Sequence, residues 1–338
     1  MEIKGHEFFL VARQKNIIQT LLDKYNFNYI SRGPGSVNIL GKLLYILKAD
    51  IQLFTLARKF KPDLFLSFGS LYAAHAAKLS NVPHIAFDDT ESAKIGHMLY
   101  VPFTNTICVP SCFKKYLGEK QVIFNGYMEL CYLHPNYFTP DISVLDLLNV
   151  KKGEKYMVIR FVSWQAFHDI GHKGISLNNK IKAVKEFSKY VKVFISSEKE
   201  LPEDLKQYQI TIPPEMMHSV LYYATFLYGE SATMASECAV LGTPAIFIDN
   251  EGRGYTDEEE KKYGLVFNFT ESMEDQELSI RKAVESLKTP NIKKVWQKKR
   301  DKMLSEKIDV TAFMVWLVEN YPESVRIMKE NPDYQFNF

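Results

Sequence analysis

A serine, a threonine and a glutamate stand at fixed spacing within the segment Tyr222–Phe247, and these residue types could bind a nucleotide diphosphate. Ser231 is a good helix N-cap, and the helix that it begins is predicted to end near Leu241. A helix N-terminus offers unpaired N–H groups and a positive dipole end, which suits a phosphate. Glu237, four residues after Thr233, could accept two hydrogen bonds from a ribose diol. The alternative is that the capped helix is ordinary and Glu237 is a solvated surface residue.

Four further residues extend this predicted nucleotide-binding set: Gly229, Arg160, Ser163 and Ser196. Gly229 ends the strand before Ser231. A guanidinium and a hydroxyl both suit phosphate oxygens, so Arg160 or Ser163 could contact the diphosphate, whereas an arginine paired with a structural carboxylate fits the pattern equally well. Ser196 follows a strand at its carboxyl end, where ligands bind in open α/β sheets, and it lies near the base or caps a helix.

The loop after Ser163 contains His168 and His172 at i, i+4 spacing. A zinc helix with this spacing would carry an HExxH motif, which is missing, so the sequence predicts no metal site. One interpretation places His168 near the phosphates as a catalytic residue. The other is a structured loop that binds no ligand.

Two α/β halves are needed to position these residues. The first half alternates strands and helices from Glu7 to Asn125, which predicts a parallel sheet with helices on both faces. An irregular segment, Gly126–Asp146, separates it from a second α/β series that begins at Tyr156. We expect domains over residues 1–145 and 146–305, and helices over 306–338 that pack back towards the first domain. No GxGxxG motif follows a strand, which argues against NAD.

The composition limits which binding partners and which cellular compartment we expect for the protein. The 338 residues carry a formal net charge of +2, too small to favour nucleic acid as the main partner. No apolar run reaches the roughly 18 residues that span a membrane, and the N-terminus has no signal-peptide pattern. Four cysteines without a CxxC pair suit a reducing compartment, so we expect a cytoplasmic protein. The basic run Lys293–Lys302 is either a solvated helix face or a contact with anionic lipid headgroups at the inner face of the membrane.

Several long motifs occur in a fixed order from about Lys4 almost to the C-terminus. They are LARKFKPDLFLSFGSLYAAHAAKL, FDDTESAK, VPSCFKKYLG, YLHPNYFTPD, RFVSWQAFHDIGHKG, FISSEKELP, GESATMASECAVLGTPAIF and FMVWLVENYPES. Together they resemble the GT-B-like family called "domain of unknown function 354", within the superfamily of GT-B glycosyltransferases and UDP-GlcNAc 2-epimerases. The resemblance implies two Rossmann-like, doubly wound parallel-sheet domains that face a cleft. It also implies donor binding at the helix N-terminus of the second domain, with the ribose held by Glu237.

One departure from the family concerns the first domain. The turn Lys4-Gly5-His6-Glu7 follows directly on Met1-Glu2-Ile3, where the family has a strand, a loop and a helix before it. The first strand of a doubly wound half is central, so its absence would leave two unpaired strand edges. We therefore expect a first domain that lacks its first strand.

The resemblance implies transfer of a sugar from a nucleotide-diphospho-sugar to a hydroxyl acceptor on a glycan or a lipid.

 

The donor is expected to be UDP-linked, and no cofactor is implied. Transfer needs a base that deprotonates the acceptor hydroxyl, and the candidates are Asp89 and Glu91 in the turn after the strand His84–Phe87. Gly69, Ser70 and Asp88 stand at strand ends on the acceptor side of the same half. The alternative for the acidic turn is a set of carboxylates that cap a helix.

Two other functions stay open at this point. A nucleotide-sugar 2-epimerase on the same fold would need paired acid and base groups beside the sugar and no acceptor. A non-catalytic protein that binds a nucleotide-sugar would show no turnover. The sequence does not decide the oligomeric state.

Overall fold

Two units make up the chain, which a computed structural model describes over residues 1–36, 38–162 and 173–338. The first unit consists of Met1–Phe124 and Ala312–Asn337, and the second of Asn125–Thr311 together with Phe338. In the described part of the chain, no helix is long and apolar enough to cross a membrane.

The first unit alternates strands and helices. Its elements are β1 (Leu10–Ala12), α1 (Asn16–Lys24), β2 (Tyr29–Ser31), α2 (Ile39–Phe60), β3 (Phe65–Phe68), α3 (Leu71–Ser80), β4 (His84–Phe87), α4 (Lys94–Tyr100), β5 (Thr106–Pro110) and β6 (Gln121–Phe124). All strand pairs are parallel, as expected for strands joined by crossover helices.

The strands of the first unit form two separate sheets. One has the order β3-β4-β5-β6, and the other contains only β1 and β2. Within the described residues, β3 pairs with β4 alone. The interruption between the two sheets is the one expected for a doubly wound half without its first strand.

The second unit contains one five-stranded parallel sheet. Its elements are α5 (Leu130–Leu133), α6 (Val144–Leu147), β7 (Tyr156–Phe161), α7 (Leu177–Phe187), β8 (Lys192–Ser197), α8 (Glu203–Lys206), α9 (Met217–Tyr223), β9 (Phe226–Gly229), α10 (Ala232–Leu241), β10 (Ala245–Ile248), α11 (Gly254–Lys261), β11 (Val266–Phe269), α12 (Met273–Lys288) and α13 (Ile292–Glu306). The strand order is β11-β10-β9-β7-β8. Strands β9 and β10 are buried throughout, in keeping with a sheet covered on both faces.

The core of the second unit lies between this sheet and two helices. Alternate residues of β7, Met157, Ile159 and Phe161, point into it. Phe187 of α7 and Leu287 of α12 belong to the same cluster of buried side chains. The predicted α/β class with two Rossmann-like sheets is therefore confirmed.

The C-terminal segment belongs to the first unit. Its helices are α14 (Val310–Glu319) and α15 (Glu323–Glu330). Phe313 stacks on Phe124 with ring centroids 5.9 Å apart, and Lys329 Nζ donates to the carbonyl of Glu119 at 2.7 Å. Leu317 and Met328 are buried, so this segment contributes to the core of the unit.

The basic run Lys293–Lys302 lies on α13, and part of it is engaged within the second unit. The ammonium of Lys293 donates to the carbonyl of Ala224 at 3.2 Å and to the Thr243 hydroxyl. Burial lowers its pKa to about 7. Lys299 donates to the carbonyl of Gly264 at 2.7 Å. The run is therefore only partly a solvated face.

Candidate functional site

Three predicted residues of the second unit stand side by side across adjacent strands. In the parallel register, Arg160 of β7 is opposite Ser196 of β8 on one side and Gly229 of β9 on the other. All three lie near the carboxyl ends of their strands, which is the edge where open α/β sheets bind ligands.

Gly229 is required by the packing of β9 against β7. A Cβ atom placed on this residue would lie 2.2 Å from the carbonyl oxygen of Arg160. Real Cβ atoms do not approach backbone this closely, so any side chain would push the two strands apart. The glycine therefore has a structural function at the strand end that precedes Ser231.

Arg160 is held by two neighbours on the β8 side. Its Nη1 donates to Ser196 Oγ at 2.8 Å, and its Nη2 forms an ion pair with Glu198 Oε1 at 2.6 Å. Both contacts fit the structural interpretation of this arginine. Among the described residues the Nε atom of Arg160 is buried without a hydrogen-bond partner, so one donor of the guanidinium is unused.

Helix α10 begins directly after β9. The hydroxyl of Ser231 accepts a hydrogen bond from the amide of Met234 at 3.3 Å, which is the predicted N-cap contact. Thr233 is exposed in the first turn, whereas every residue from Met234 to Leu241 is buried. Gly242 ends the helix with a φ of 71°. The N-terminal turn is thus the accessible part of a central, buried helix.

Glu237 is buried on α10 and is not a solvated surface residue, since it is only 7% exposed. Its Oε1 accepts hydrogen bonds from His218 Nε2 at 3.0 Å and from the Tyr132 hydroxyl at 3.1 Å. The ring centroids of Tyr132 and His218 lie 5.3 Å apart, and the Phe138 ring is edge-on to the histidine with a centroid separation of 6.2 Å. The second unit therefore places the buried carboxylate of Glu237 beside a cluster of aromatic rings.

Sequence reasoning placed Tyr132 and Phe138 in an irregular linker and gave them no function. Tyr132 is separated from Glu237 by 105 residues, so no local pattern joins them. The sequence feature that could have pointed to Tyr132 and Phe138 is the aromatic content of the segment YLHPNYF.

Glu230 is a further residue that the sequence did not single out. Its carboxylate accepts hydrogen bonds from the amides of Val162 at 2.9 Å and Ile175 at 2.6 Å, and it pairs with Lys180 at 3.4 Å. Burial raises the pKa of Glu230, while Lys180 opposes that rise. Glu230 therefore fixes the backbone on both sides of residues 163–172. The predicted site residues Ser163 and His168 lie outside the described residues.

In the first unit, Gly69 and Ser70 join β3 to α3. Gly69 has a φ of 51°, and Ser70 Oγ accepts from the amide of Ala73 at 3.3 Å as the N-cap of α3. A Cβ atom on Gly69 would lie 3.4 Å from Asp88 Oδ2, so the turn after β3 closely approaches the end of β4. Ser70 thus has a capping contact of its own.

Asp88 is buried at the end of β4 and receives three hydrogen bonds. His97 Nε2 lies 3.1 Å and the Tyr100 hydroxyl 2.5 Å from its Oδ2, while the amide of Thr90 donates to Oδ1 at 2.8 Å. Burial, reinforced by the carboxylate of Asp88, raises the pKa of Tyr100. This arrangement holds the acidic turn on the sheet.

The two predicted base candidates lie in the same turn. Asp89 Oδ1 accepts from the Thr90 hydroxyl at 3.1 Å, and Asp89 is 9% exposed. Glu91 Oε1 accepts from the amide of Lys114 at 3.2 Å. Each carboxylate therefore has a local structural contact in addition to any chemical function.

Within residues 1–36, 38–162 and 173–338, no group of three His, Cys, Asp or Glu side chains is placed to hold a metal ion. The positive groups of the second-unit site are the first turn of α10 and the guanidinium of Arg160. Both suit an anionic ligand.

Solved structures of similar fold include enzymes that act on UDP-sugars. The UDP-GlcNAc 2-epimerase from Neisseria meningitidis bound to UDP-GlcNAc matches with a TM-score of 0.65 at 11% identity, over 94% of each chain. MurG from Acinetobacter baumannii matches with a TM-score of 0.57 at 15% identity, over 94% of this chain and 92% of its own. At these identities the likeness shows a shared GT-B-like fold.

Comparison by sequence gives the family. An uncharacterized protein from Methanocaldococcus jannaschii is 25% identical over 255 residues, which cover 72% of this chain and 74% of that protein. The profile described as "Protein of unknown function (DUF354)" matches residues 1–321. The ordered motifs, the two parallel-sheet units and this match agree, and the chain belongs to the DUF354 family.

Proposed function

We propose that the second unit binds a nucleotide-diphospho-sugar, with the diphosphate at the N-terminal turn of α10 and the ribose on Glu237. The buried carboxylate of Glu237, fixed by His218 and Tyr132, is the observation that carries this proposal. Both of these hydrogen bonds end on Oε1, and no described residue donates to Oε2. That oxygen is the acceptor we assign to a ribose hydroxyl, with Thr233 in the exposed first turn near the phosphates.

The reaction that we propose is transfer of the sugar to a hydroxyl acceptor on a glycan or a lipid. The leaving diphosphate would gain support from the helix dipole and from the positive charge of the Arg160 guanidinium, so transfer needs no metal in this proposal. Asp89 or Glu91 would act as the base, and Ser163, Ser196 and His168 complete the proposed set. No separate cofactor is proposed, because the UDP-sugar is itself the substrate.

A second candidate is epimerisation of a UDP-sugar. It is favoured by the fold of the neighbours, several of which are UDP-GlcNAc 2-epimerases, with TM-scores up to 0.65. The two reactions differ in their products. NMR of a UDP-sugar incubated with the protein alone would show an isomer if the protein is an epimerase, whereas a transferase needs an acceptor before the sugar leaves UDP. Bound nucleotide without either product would indicate a binding protein.

The proposal places the protein in the cytoplasm, where nucleotide-sugars would be its substrates. A lipid-linked acceptor would bring it to the inner face of a membrane. Of the basic residues on α13, Lys294, Lys298 and Lys302 are exposed and could contact headgroups.

Substitution of Glu237 by alanine tests the nucleotide site. We expect UDP affinity, measured by calorimetry, to fall at least tenfold, because about 1.4 kcal/mol of lost hydrogen bonding gives that factor. Glu203→Ala is the control, since this helical glutamate of the same unit is exposed. Equal UDP affinity of the Glu237→Ala variant and the native protein would rule out the assigned ribose contact.

A further inference from the structure

His97 on α4 is a buried histidine that uses only one of its two ring nitrogens. The residue is 7% exposed, and its Nε2 lies 3.1 Å from Asp88 Oδ2. No residue that the structure describes forms a hydrogen bond with its Nδ1. Most buried polar atoms in folded proteins have a hydrogen-bond partner, so an unused nitrogen on a buried ring indicates a function other than packing.

Two other histidines of the first unit, His75 and His84, use both ring nitrogens. His75 contacts the carboxylate of Asp50 through Nδ1 at 2.8 Å and a backbone carbonyl through Nε2 at 3.0 Å. His84 contacts one hydroxyl with each nitrogen, at 2.9 Å and 3.0 Å. The hydrogen bonds of these two residues account for them as structural histidines, and His97 differs from both.

The hydrogen bonds of Asp88 decide which nitrogen of His97 carries the proton. Asp88 accepts from the Tyr100 hydroxyl at 2.5 Å and from the amide of Thr90 at 2.8 Å. Burial, reinforced by Asp88, raises the pKa of Tyr100, so the phenol keeps its proton and donates to the carboxylate. Because an ionised carboxylate only accepts hydrogen bonds, Nε2 of the neutral His97 ring is the donor and Nδ1 has the free lone pair.

The pair of Asp88 and His97 stands at the edge of the sheet where open α/β folds bind ligands. Asp88 directly follows β4, and Gly69 directly follows the neighbouring strand β3. A Cβ atom on Gly69 would lie 3.4 Å from Asp88 Oδ2, so the turn after β3 lies against the carboxylate. The rings of Tyr100 and Phe113 pack on His97 with centroids 5.9 Å and 6.3 Å away. Among the described contacts of the imidazole, Asp88 supplies the only charge.

We propose that His97, oriented by Asp88, is the base that takes the proton of the acceptor hydroxyl in the sugar transfer proposed above, and this inference rests on that function. The proton passes to Nδ1 of His97 while the acceptor oxygen forms a bond with the anomeric carbon of the sugar. The bond from that carbon to the phosphate oxygen breaks, and its electron pair leaves with UDP. Asp88 then stabilises the imidazolium, as the carboxylate does in a Ser-His-Asp triad.

His97 replaces Asp89 and Glu91, which the sequence pattern suggested as bases. An imidazole, with an ordinary pKa of about 6.5, matches neutral pH better than a carboxyl group with an ordinary pKa of about 4. Asp89 accepts from the Thr90 hydroxyl at 3.1 Å, and Glu91 accepts from the amide of Lys114 at 3.2 Å. In this assignment the two carboxylates hold the turn that begins at the end of β4.

Modification by diethyl pyrocarbonate tests the free Nδ1 without any nucleotide. The reagent acylates an unprotonated imidazole nitrogen, and mass spectrometry of the peptides reports the rate for each histidine. His97 should react about tenfold faster than His75, because a nitrogen of His75 must first break its hydrogen bond. Exposure alone predicts the reverse order, since the side chain of His75 is 17% exposed and that of His97 is 9% exposed. Equal or slower modification of His97 would overturn the proposal.

Turnover separates a chemical function of His97 from a structural one. In His97→Gln the side-chain amide can still donate to Asp88, but it has no basic nitrogen. This variant should release UDP from UDP-GlcNAc, with glycerol as the hydroxyl probe, about 100-fold more slowly than the native protein. Its affinity for UDP, measured by calorimetry, should equal that of the native protein, because the proposed nucleotide contacts lie in the second unit. His75→Gln is the control and should keep the native rate of UDP release.

The outcomes distinguish this inference from the proposed function. If His97→Gln unfolds in urea as the native protein does and also releases UDP at the native rate, His97 is not the base, and the nucleotide site is unaffected by that result. If the native protein does not bind UDP, the proposed function fails. The order in which diethyl pyrocarbonate modifies His97 and His75 then still decides whether Nδ1 of His97 is free.

Discussion

At the scale of single residues, the candidate site depends on a carboxylate that is oriented before any ligand arrives. Glu237 uses Oε1 for both of its hydrogen bonds, to His218 and to Tyr132. A side chain fixed in this way loses little conformational entropy when it binds a ligand. Because His218 and Tyr132 orient Glu237, they affect the site even if neither side chain contacts the nucleotide.

Glu259 on α11 is another buried carboxylate, and it affects stability. It is fully buried, accepts a hydrogen bond from the Ser236 hydroxyl at 2.6 Å, and keeps Oε2 without a partner among the described residues. Burial raises its pKa to about 8, the nearby charge of Glu258 adds to the rise, and Lys307 opposes it. The folded chain therefore holds a proton on Glu259 that the unfolded chain releases above its ordinary pKa of 4.5.

We predict that Glu259 makes the second unit less stable as pH rises from about 4.5 to about 8, because the unfolded state binds fewer protons over that range. Glu259→Gln cannot titrate, so it should lack this decline and be more stable than the native protein at pH 7 by ~3 kcal/mol. Urea unfolding at several pH values measures the difference. Glu203→Gln is an exposed control, and its stability should change with pH as that of the native protein does. If the stability of Glu259→Gln fell with pH in the same way, the raised pKa of Glu259 would be contradicted.

At the scale of elements, β9 and α10 were predictable because their signals are local. The Ser231 cap, the end of the helix near Leu241 and the terminating Gly242 are all found in the structure. Each is set by neighbours within a few residues, through an N-cap hydrogen bond or a left-handed C-cap.

The contacts that complete the site could not be predicted in the same way. Glu230 binds the amide of Ile175 across 55 residues, and Glu237 binds Tyr132 across 105. Such pairs depend on the order of strands in the sheet and on the path of the connecting segments. Residue types alone also left Arg160 with two interpretations, and its pairing with Glu198 became visible only in the structure.

The junction of β7 and β9 gives a prediction at this scale. Gly229→Ala should lower the free energy of unfolding by about 1–3 kcal/mol, because the new Cβ would meet the carbonyl of Arg160 and separate the strands. It should also weaken UDP binding, since the cap of α10 begins two residues later. Gly96→Ala is the control, as its Cβ would meet nothing closer than 3.6 Å. Equal stability of both variants, measured by urea unfolding, would show that the strands tolerate the side chain.

At the scale of the whole molecule, the two units differ in how the chain builds them. The second unit is nearly continuous, from Asn125 to Thr311, whereas the first needs both Met1–Phe124 and Ala312–Asn337. Phe313, Leu317 and Met328 of the later stretch are buried in the first unit. Its core is therefore incomplete until the end of the chain is available.

This division has a consequence for the order of folding. During synthesis the N-terminal residues emerge first, yet the unit that they begin cannot finish, so the second unit should reach its native state earlier. The usual N-to-C order of domain folding would then be reversed. In refolding of the full chain followed by pulsed hydrogen exchange, amides of β7, β9 and β10 should gain protection before those of β4 and β5. Simultaneous protection in both sheets would show instead that the two units fold as one cooperative body.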